Sequence, residues 1–333
     1  MGLYFLAVTH HTASSRDLES VYLDVTERDV MRSQLHSLGI SVAFIATCNR
    51  FELIANGPDA RLIHQAVTQL MARMRAIPDS FWDQYAVTGQ DHEVVSHLFH
   101  VACGMDSMII GEDDILAQVK QSYAAYAQTP DTHSVLHKVF QSAVAVGKRA
   151  RHETSISKGS YSVSSLAIDW VRKDELEWFN RSVLMVGAGV MGIRTLKKFH
   201  ALGHPRLTLV NRTDAKADRL AHAYGVSWFP YRELRSRLTQ YELVFFALAS
   251  PKPIVTPEWD TRGVRLFIDM GMPRNIAPSI EGAKVITVDH LKTATDATVA
   301  KRREEMIKVS LIIEEELGRF EEWRQHRDVV MRA

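Results

Sequence analysis

SVLMVGAGVMGIRTLKKFHALGHPRLTLVNRT, residues 182 to 213, decides the fold. Its first five residues are an apolar run that predicts a strand over Ser182 to Val186. A glycine turn follows, then apolar residues at helical spacing through about Leu202, then a second strand, Leu207 to Val210. Strand, helix and strand in that order form a βαβ unit of a parallel sheet. The turn Gly187-Ala188-Gly189-Val190-Met191-Gly192 lies between a strand and a helix, which is the context a GxGxxG motif needs. There the first glycine permits a tight turn, the second lets backbone approach a pyrophosphate, and the third allows close helix packing. The helix N-terminus adds aligned N–H groups. The second strand ends in Asn211-Arg212-Thr213, where an Asp or Glu would accept from a free ribose 2′-hydroxyl. Arg212 offers a planar cation to a 2′-phosphate and Thr213 a hydroxyl, which favours NADPH over NADH; the competing reading of Arg212 is a solvated loop charge.

Working downstream, apolar runs at Leu243 to Ala247, Leu266 to Asp269 and Lys284 to Val288 continue the alternation, so a doubly wound parallel sheet is expected. After Asp289 the chain reads as one long helix, with Val299, Met306, Ile312, Ile313, Leu317, Phe320 and Trp323 among charged residues. It is either a helix closing the sheet or a strut that joins domains or subunits. Upstream, the Ser- and Gly-rich stretch SISKGSYSVSS, Ser155 to Ser165, marks a junction. Before it lie predicted strands at Leu3 to Val8 and Ser41 to Ala46. Helical patterns occupy Thr26 to Leu38, Asp59 to Met74, Asp91 to Ala127 and Thr132 to Thr154. The expected fold is α/β: an N-terminal α+β catalytic domain over 1–155, a Rossmann-type doubly wound NADPH domain over 156–290, and a long C-terminal helical segment over 291–333.

Composition agrees with more than one core, since 333 residues at 46% hydrophobic content exceed an ordinary domain. The 40 basic and 39 acidic residues nearly cancel, so any RNA contact must be a local patch rather than a global field. Cys48 and Cys103 are the only cysteines, which excludes a disulfide scaffold and a cysteine zinc site; no metal is expected. The start MGLYFLAVTHHTAS has no basic n-region, and its apolar run breaks at Thr9 and His10, so a cytoplasmic protein without a membrane span is expected.

In Thr47-Cys48-Asn49-Arg50 a thiol past a strand end sits beside a permanent cation, which favours thiolate or grips a carboxylate. Taken alone, a cysteine is more often a small buried hydrophobe. Together with an NADPH fold, it points to thioester reduction, in which a thiolate captures an activated acyl group and hydride releases it as an aldehyde. ATCNRFEL, the run VSHLFHVACGMDSMIIGEDDILAQVKQSY from Val95 to Tyr123, GKRARHETSISKGSYSVSS, GAGVMG with NRT, and FIDMGMPRNIAP from Phe267 to Pro278 closely resemble glutamyl-tRNA reductase, in that family's order.

The resemblance implies that Cys48 attacks the aminoacyl ester of glutamyl-tRNA. NADPH at Gly187 to Gly192 then reduces the thioester to glutamate-1-semialdehyde, the first committed intermediate of the five-carbon route to tetrapyrroles such as haem. It places Thr47, Asn49 and Arg50 on the glutamate pocket, with Arg50 suited to a bidentate grip on the side-chain carboxylate. Ser107, Glu112 and Gln118 match further substrate positions, with Glu112 a candidate anchor for the α-ammonium. His97 is either a proton donor or acceptor near the thioester or a hydrogen-bonded structural histidine. Cys103 is expected in the core.

The chain departs from the family pattern in three places. Glu112-Asp113-Asp114 puts an extra carboxylate where the family usually has Gln, and HHTASSRDLESVYL lacks the usual Leu-Arg-Glu helix start. The family's C-terminal dimerisation domain would follow the long helix, where this chain stops at Ala333; a short form is expected, and a homodimer is not assumed. Lys148, Arg149, Arg151 and Lys158 either touch tRNA phosphates or form a solvated helix face. Glutamate-1-semialdehyde aminomutase is the partner the resemblance implies. Two other readings stand beside the enzyme: a catalytically weak relative that binds glutamyl-tRNA as a regulator, and an NADPH reductase of small acids of the shikimate dehydrogenase type. The second leaves TCNR and the Val95 to Tyr123 run without a purpose.

Overall fold

The computed structural model describes residues 2–332 apart from 48, 130–131, 158–162, 176 and 293–295. The chain divides into two compact units, Met1–Ser160 with Asp296–Ala333, and Tyr161–Thr295.

The first unit opens with β1 (Gly2–Thr9), α1 (Ser15–Val21), α2 (Val25–His36), β2 (Ser41–Ala46) and β3 (Arg50–Gly57). It continues with α3 (Ala60–Arg75), α4 (Asp79–Tyr85), β4 (Val87–Gln90), α5 (His92–Cys103), α6 (Asp113–Ala127) and α7 (Ser134–Glu153). Capping boxes start α1 at Ser14, with Asp17, and α2 at Asp24, with Glu27. The four strands form a sheet in the order β2-β3-β1-β4, so β2 is an edge. β3 runs antiparallel to both neighbours and pairs Arg50 with Thr9 and Glu52 with Ala7. One face of this sheet, with Phe5, Ala7, Ala43, Ile45 and Ile54, packs into a single core with α5, α6 and α7, and Cys103 is buried there.

The helical run from Asp91 to Ala127 is not continuous: a turn over 104–112 separates α5 from α6. Gly104 and Gly111, at φ +75° and +76°, fold this turn so that the Gly111 N–H donates to the Gly104 carbonyl. A methyl group on Gly111 would stand 2.0 Å from the Ile156 carbonyl oxygen, so both the conformation and the space demand glycine.

The second unit comprises α8 (Val163–Asp174), β5 (Val183–Val186), α9 (Val190–Ala201), β6 (Leu207–Val210), α10 (Asp214–Tyr224), β7 (Ser227–Trp228), α11 (Leu234–Arg237), β8 (Leu243–Phe246), β9 (Leu266–Asp269), β10 (Lys284–Thr287) and α12 (Val288–Lys292). Its six strands are all parallel, in the order β10-β9-β8-β5-β6-β7. That is the doubly wound order of dinucleotide-binding sheets, and its switch point lies between β5 and β8, beside the glycine turn. Strands β5, β6, β8 and β9 are buried throughout, which is why they read as unbroken apolar runs.

The long helix, α13 (Asp296–Arg332), belongs to the first unit. Val309, Ile313 and Phe320, with Met306, Leu317 and Trp323, form a seam at three- and four-residue spacing that enters the core of α5 and α7. Arg149 on α7 clasps it, donating to Glu315 and Glu316 at 2.7 Å each. Arg151 donates to the carbonyls of Ala102, Gly147 and Glu112 at 2.8, 2.9 and 2.7 Å and pairs with Asp113 at 3.1 Å. Both arginines thus hold helices of their own unit together rather than presenting free charge to phosphates; Lys148 is exposed, and Lys158 lies outside the described residues. Arg151→Met should remove three hydrogen bonds from a cation to carbonyls where α5, α6 and α7 meet and lower stability by about 3 kcal/mol. Urea denaturation would show this as a lower midpoint; an unchanged midpoint would refute it. Among the described residues no helix is long and apolar enough to cross a membrane.

Candidate active site

The hairpin link from β2 to β3 carries Thr47, Cys48 and Asn49, and Cys48 itself lies outside the described residues. Both of its neighbours are pinned. The Thr47 N–H donates to the Arg50 carbonyl at 2.9 Å and its hydroxyl accepts from the Asn49 N–H at 3.1 Å, while the Asn49 carbonyl accepts from the His10 N–H at 2.9 Å. The link is therefore tied to itself and to the segment after β1.

Arg50, at the start of β3, is only 2% exposed. Its guanidinium Nη1 donates to Glu52 Oε1 at 2.5 Å and to Asp106 Oδ2 at 2.9 Å, and Nη2 donates to the Asp106 carbonyl. The second oxygen of each carboxylate takes an imidazole: Glu52 Oε2 lies 3.0 Å from His97 Nε2, and Asp106 Oδ1 lies 3.3 Å from His11 Nε2. The result is one chain of charge, His97–Glu52–Arg50–Asp106–His11. The β pleat creates it, because Arg50 and Glu52 are two apart and so share a face.

Burial alone would push the Glu52 carboxyl up, but His97 and Arg50 beside it hold it below the ordinary carboxylate range. Burial would raise Asp106 as well, and its hydrogen bond with His11 and the charge of Arg50 bring it down. An ionised Glu52 can only accept, so His97 must carry its proton on Nε2, and a neutral ring keeps Nδ1 as an acceptor. The ring stacks flat on Phe5, with centroids 4.2 Å apart, which fixes its plane.

Of the residues expected at the substrate, Arg50 and His97 belong to this chain and Ser107 directly follows Asp106. The Ser107 hydroxyl is buried and has no hydrogen-bond partner among the described residues. Glu112 caps the start of α6 and Asp114 lies in its first turn, both buried, whereas Asp113 is drawn to Arg151. Gln118 lies further along α6 and lines a cavity against β2. Sequence reasoning missed Glu52, Asp106 and His11. The signal for Glu52 was present, since a carboxylate in the apolar run FELIA has no place in a buried strand unless it is paired.

In the second unit the three glycines of the turn differ in what they must avoid. Gly187 is at φ +113°, and a methyl there would stand 2.5 Å from the Ala247 carbonyl oxygen. A methyl on Gly192 would stand 1.9 Å from the Gly187 carbonyl oxygen. On Gly189, by contrast, it would meet nothing nearer than 3.8 Å. Among the described residues no protein contact requires glycine at Gly189, which leaves open backbone at the N-terminus of α9 and makes the turn fit a dinucleotide. Ala188, Val190 and Met191 complete it, with Val190 52% exposed at the first position of the helix.

Asn211 braces the turn: its Oδ1 accepts from the Ala188 N–H at 2.9 Å and its Nδ2 donates to the Thr213 carbonyl at 3.2 Å. Arg212 is exposed at the end of β6 and donates to the Ala249 carbonyl at 2.9 Å. Thr213 leads into α10.

A family profile described as glutamyl-tRNA(Glu) reductase, N-terminal domain, matches residues 6–154, and one described as shikimate/quinate 5-dehydrogenase matches residues 171–294. The glutamyl-tRNA reductase of Desulfitobacterium hafniense is 31% identical over 98% of this chain and 76% of its own. That of Thermus thermophilus is 34% identical over 97% and 81%. The solved structure of glutamyl-tRNA reductase from Methanopyrus kandleri is similar at a TM-score of 0.55 and 31% identity, over 97% of this chain and 80% of that one. With both units matched in order, and with relatives above 30% identity spanning nearly every residue, the chain belongs to the glutamyl-tRNA reductase family.

Proposed function

We propose that this enzyme reduces the glutamyl ester of glutamyl-tRNA to glutamate-1-semialdehyde through a thioester on Cys48, with NADPH as reductant. It would thereby supply the first intermediate of the five-carbon route to tetrapyrroles in the cytoplasm, with an aminomutase as recipient of the aldehyde. The observation that carries this reading is the joining, in one family-wide match, of the TCNR link to a nucleotide turn whose Gly189 leaves open space at the start of α9.

The Cys48 thiolate adds to the ester carbonyl, a C–S bond forms, and the C–O bond to the terminal ribose breaks, so that tRNA leaves as an alcohol. Arg50, two residues along, is paired with the ionised Glu52 and Asp106, so removal of the thiol proton falls to His97. His97, held by Glu52 with Nδ1 as its acceptor, takes the thiol proton and returns it to the departing ribose oxygen. The turn Gly187 to Gly192 would hold NADPH, whose chemistry would be donation of a hydride to the acyl carbon, with Cys48 released as thiolate and the acyl group as aldehyde. Thr47, Asn49 and Ser107 position the glutamyl group, the buried Ser107 hydroxyl being poised to hydrogen-bond it. Glu112 and Asp114 favour the α-ammonium. Arg50 already spends three donors on Glu52 and Asp106, so its grip on a carboxylate falls to its remaining N–H groups. Arg212, exposed where β6 ends, is placed to meet a ribose 2′-phosphate.

The test is cofactor oxidation by the full chain with charged glutamyl-tRNA, beside free glutamate, uncharged tRNA and Cys48→Ser. Oxidation of NADPH in preference to NADH that needs the charged tRNA, and that falls at least about a thousandfold in the variant, is expected. No oxidation despite measurable binding of both ligands would overturn the reading.

A further inference from the structure

Asn275 lies in the loop after β9 and is fully buried, a place that suits an amide only when its polar atoms are matched. Both ends of it are. Oδ1 accepts from the Leu248 N–H at 3.0 Å, and Nδ2 donates to the carbonyls of Leu248 at 3.0 Å and Pro273 at 3.4 Å. One side chain thus exchanges two hydrogen bonds with one residue of another loop, as a facing antiparallel strand would. Its own backbone is held as firmly. The N–H donates to Asp269 Oδ2 at 2.7 Å, and the carbonyl accepts from the N–H groups of Ile254 and Val255 at 2.7 and 3.0 Å. Gly271 makes room for the amide, since a methyl there would stand 2.7 Å from Asn275 Cγ and Oδ1.

Such a clamp would serve the fold alone if it gripped an indifferent residue. Leu248, however, stands between two carbonyls that meet the nucleotide machinery. The Leu248 N–H belongs to the same planar peptide as the Ala247 carbonyl, so holding the one aims the other. That carbonyl oxygen is the atom that would lie 2.5 Å from a methyl on Gly187. On the other side, the Ala249 carbonyl accepts from Arg212 Nη1 at 2.9 Å. The strands run in the order β8-β5-β6, so Arg212, just past β6, reaches that carbonyl across the end of β5, where the glycine turn begins. Arg212 is exposed, and an exposed arginine without an anchor samples many rotamers. The anchor is only as fixed as the backbone that carries it, and Asn275 fixes that backbone.

Resting on the reading of Arg212 as the contact for a ribose 2′-phosphate, we infer that Asn275 is a positioning residue for cofactor choice. By clamping Leu248 it holds the Ala249 carbonyl, and with it the Arg212 guanidinium, in place before the cofactor arrives. A guanidinium already ordered loses little freedom on meeting the phosphate, so the clamp favours the 2′-phosphorylated dinucleotide over its unphosphorylated counterpart. Slackening of the Ala247 carbonyl against Gly187 would weaken both dinucleotides alike, and that loss cancels in their ratio.

The test is the affinity of the full chain for NADPH and for NADH, measured by isothermal titration, in the parent, Asn275→Asp, Arg212→Gln and the double variant. Asn275→Asp keeps the size and the acceptor for the Leu248 N–H but turns an oxygen toward the Leu248 carbonyl. The ratio of NADPH to NADH affinity is expected to fall about fivefold in this variant, and adding it to Arg212→Gln should lower the ratio no further than Arg212→Gln alone. A charge effect of the new carboxyl would instead persist in the Arg212→Gln background. Ala249→Gly, at an exposed position that leaves Asn275 intact, should lower the ratio about twofold by loosening the same carbonyl, and it decides the matter if Asn275→Asp does not fold. A ratio unchanged in Asn275→Asp, or in Ala249→Gly where the first does not fold, overturns the inference, as does a fivefold loss that persists without Arg212. If Arg212→Gln itself leaves the ratio at the parent's value, the 2′-phosphate reading fails and the inference with it. A ratio lost in Arg212→Gln but kept in Asn275→Asp removes the inference alone.

Discussion

Gly192→Ala should lower the stability of the nucleotide-binding unit by about 2 kcal/mol and with it remove dinucleotide binding, whereas Gly189→Ala should leave stability nearly unchanged and still weaken the cofactor at least about tenfold. At Gly192 the new methyl would meet the Gly187 carbonyl oxygen at 1.9 Å and its carbon at 2.8 Å. Both are backbone atoms that no rotamer can move, so either α9 must lift from β5 or the turn must open. Overpacking of this kind costs about 1–3 kcal/mol, and the better helix propensity of alanine, worth about 1 kcal/mol, offsets only part of a cost at the top of that range. At Gly189 the methyl meets nothing within 3.4 Å, so the fold is indifferent to it; a pyrophosphate against the helix N-terminus is not. Hydrogen exchange at β5 and β6 reads the first effect and titration of NADPH fluorescence the second. If both variants lost stability alike, or if Gly189→Ala bound NADPH as tightly as the parent, the division of labour among the three glycines would be wrong.

The same contrast explains what could be read from the sequence. The βαβ unit was legible because its periodicity changes from an apolar run to helical spacing and back within 32 residues, with a glycine turn at the first change. Five of the second unit's strands fall where apolar runs predict them, and four of these, buried on both faces of a parallel sheet, leave no polar alternation to blur the signal. Two-residue β7 has no such run and went unseen. In the first unit β3 was obscured by its own chemistry: Arg50, Glu52 and Asn56 interrupt a strand that is nonetheless buried at every position. Polar residues inside a strand normally mark a solvent face; here they mark a site. Pairing over long separations was equally out of reach. Arg50 meets Asp106 and Arg149 meets Glu315 and Glu316 across 56, 166 and 167 residues, and no local pattern encodes such distances. Arg149 and Arg151 therefore looked like free basic charge, although each is a fastening between helices.

Glu52→Gln is expected to cost about 3 kcal/mol and to disable His97 as a proton carrier. Glu52 is fully buried between Arg50 and His97, and replacing it by a neutral amide leaves the buried guanidinium with Asp106 as its one carboxylate partner. Removal of one member of a buried pair costs about 3–5 kcal/mol, and the surviving Asp106 holds the effect to the low end. The pH dependence carries a sign that can be checked. Glu52 is held below its ordinary carboxylate range in the folded state, so the unfolded chain takes up its proton first as pH falls. Its contribution is therefore complete above the unfolded carboxylate range and fades as pH drops through the depressed folded value. The stability gap between parent and variant should then be widest near neutrality and narrow below about pH 4, where the unfolded carboxyl titrates. Catalysis should respond separately. The amide that replaces the carboxylate can offer either its oxygen or its NH2 to His97, so the demand for a proton on Nε2 disappears and the ring is free to adopt the other tautomer. The expected signature is a fall in kcat of about a hundredfold, with KM for glutamyl-tRNA changed little and NADPH affinity unaltered. A variant as stable as the parent at pH 7, or a gap that widens on acidification, would mean that Glu52 does not sit ionised between Arg50 and His97. A fall confined to KM would move its role from the proton to the substrate.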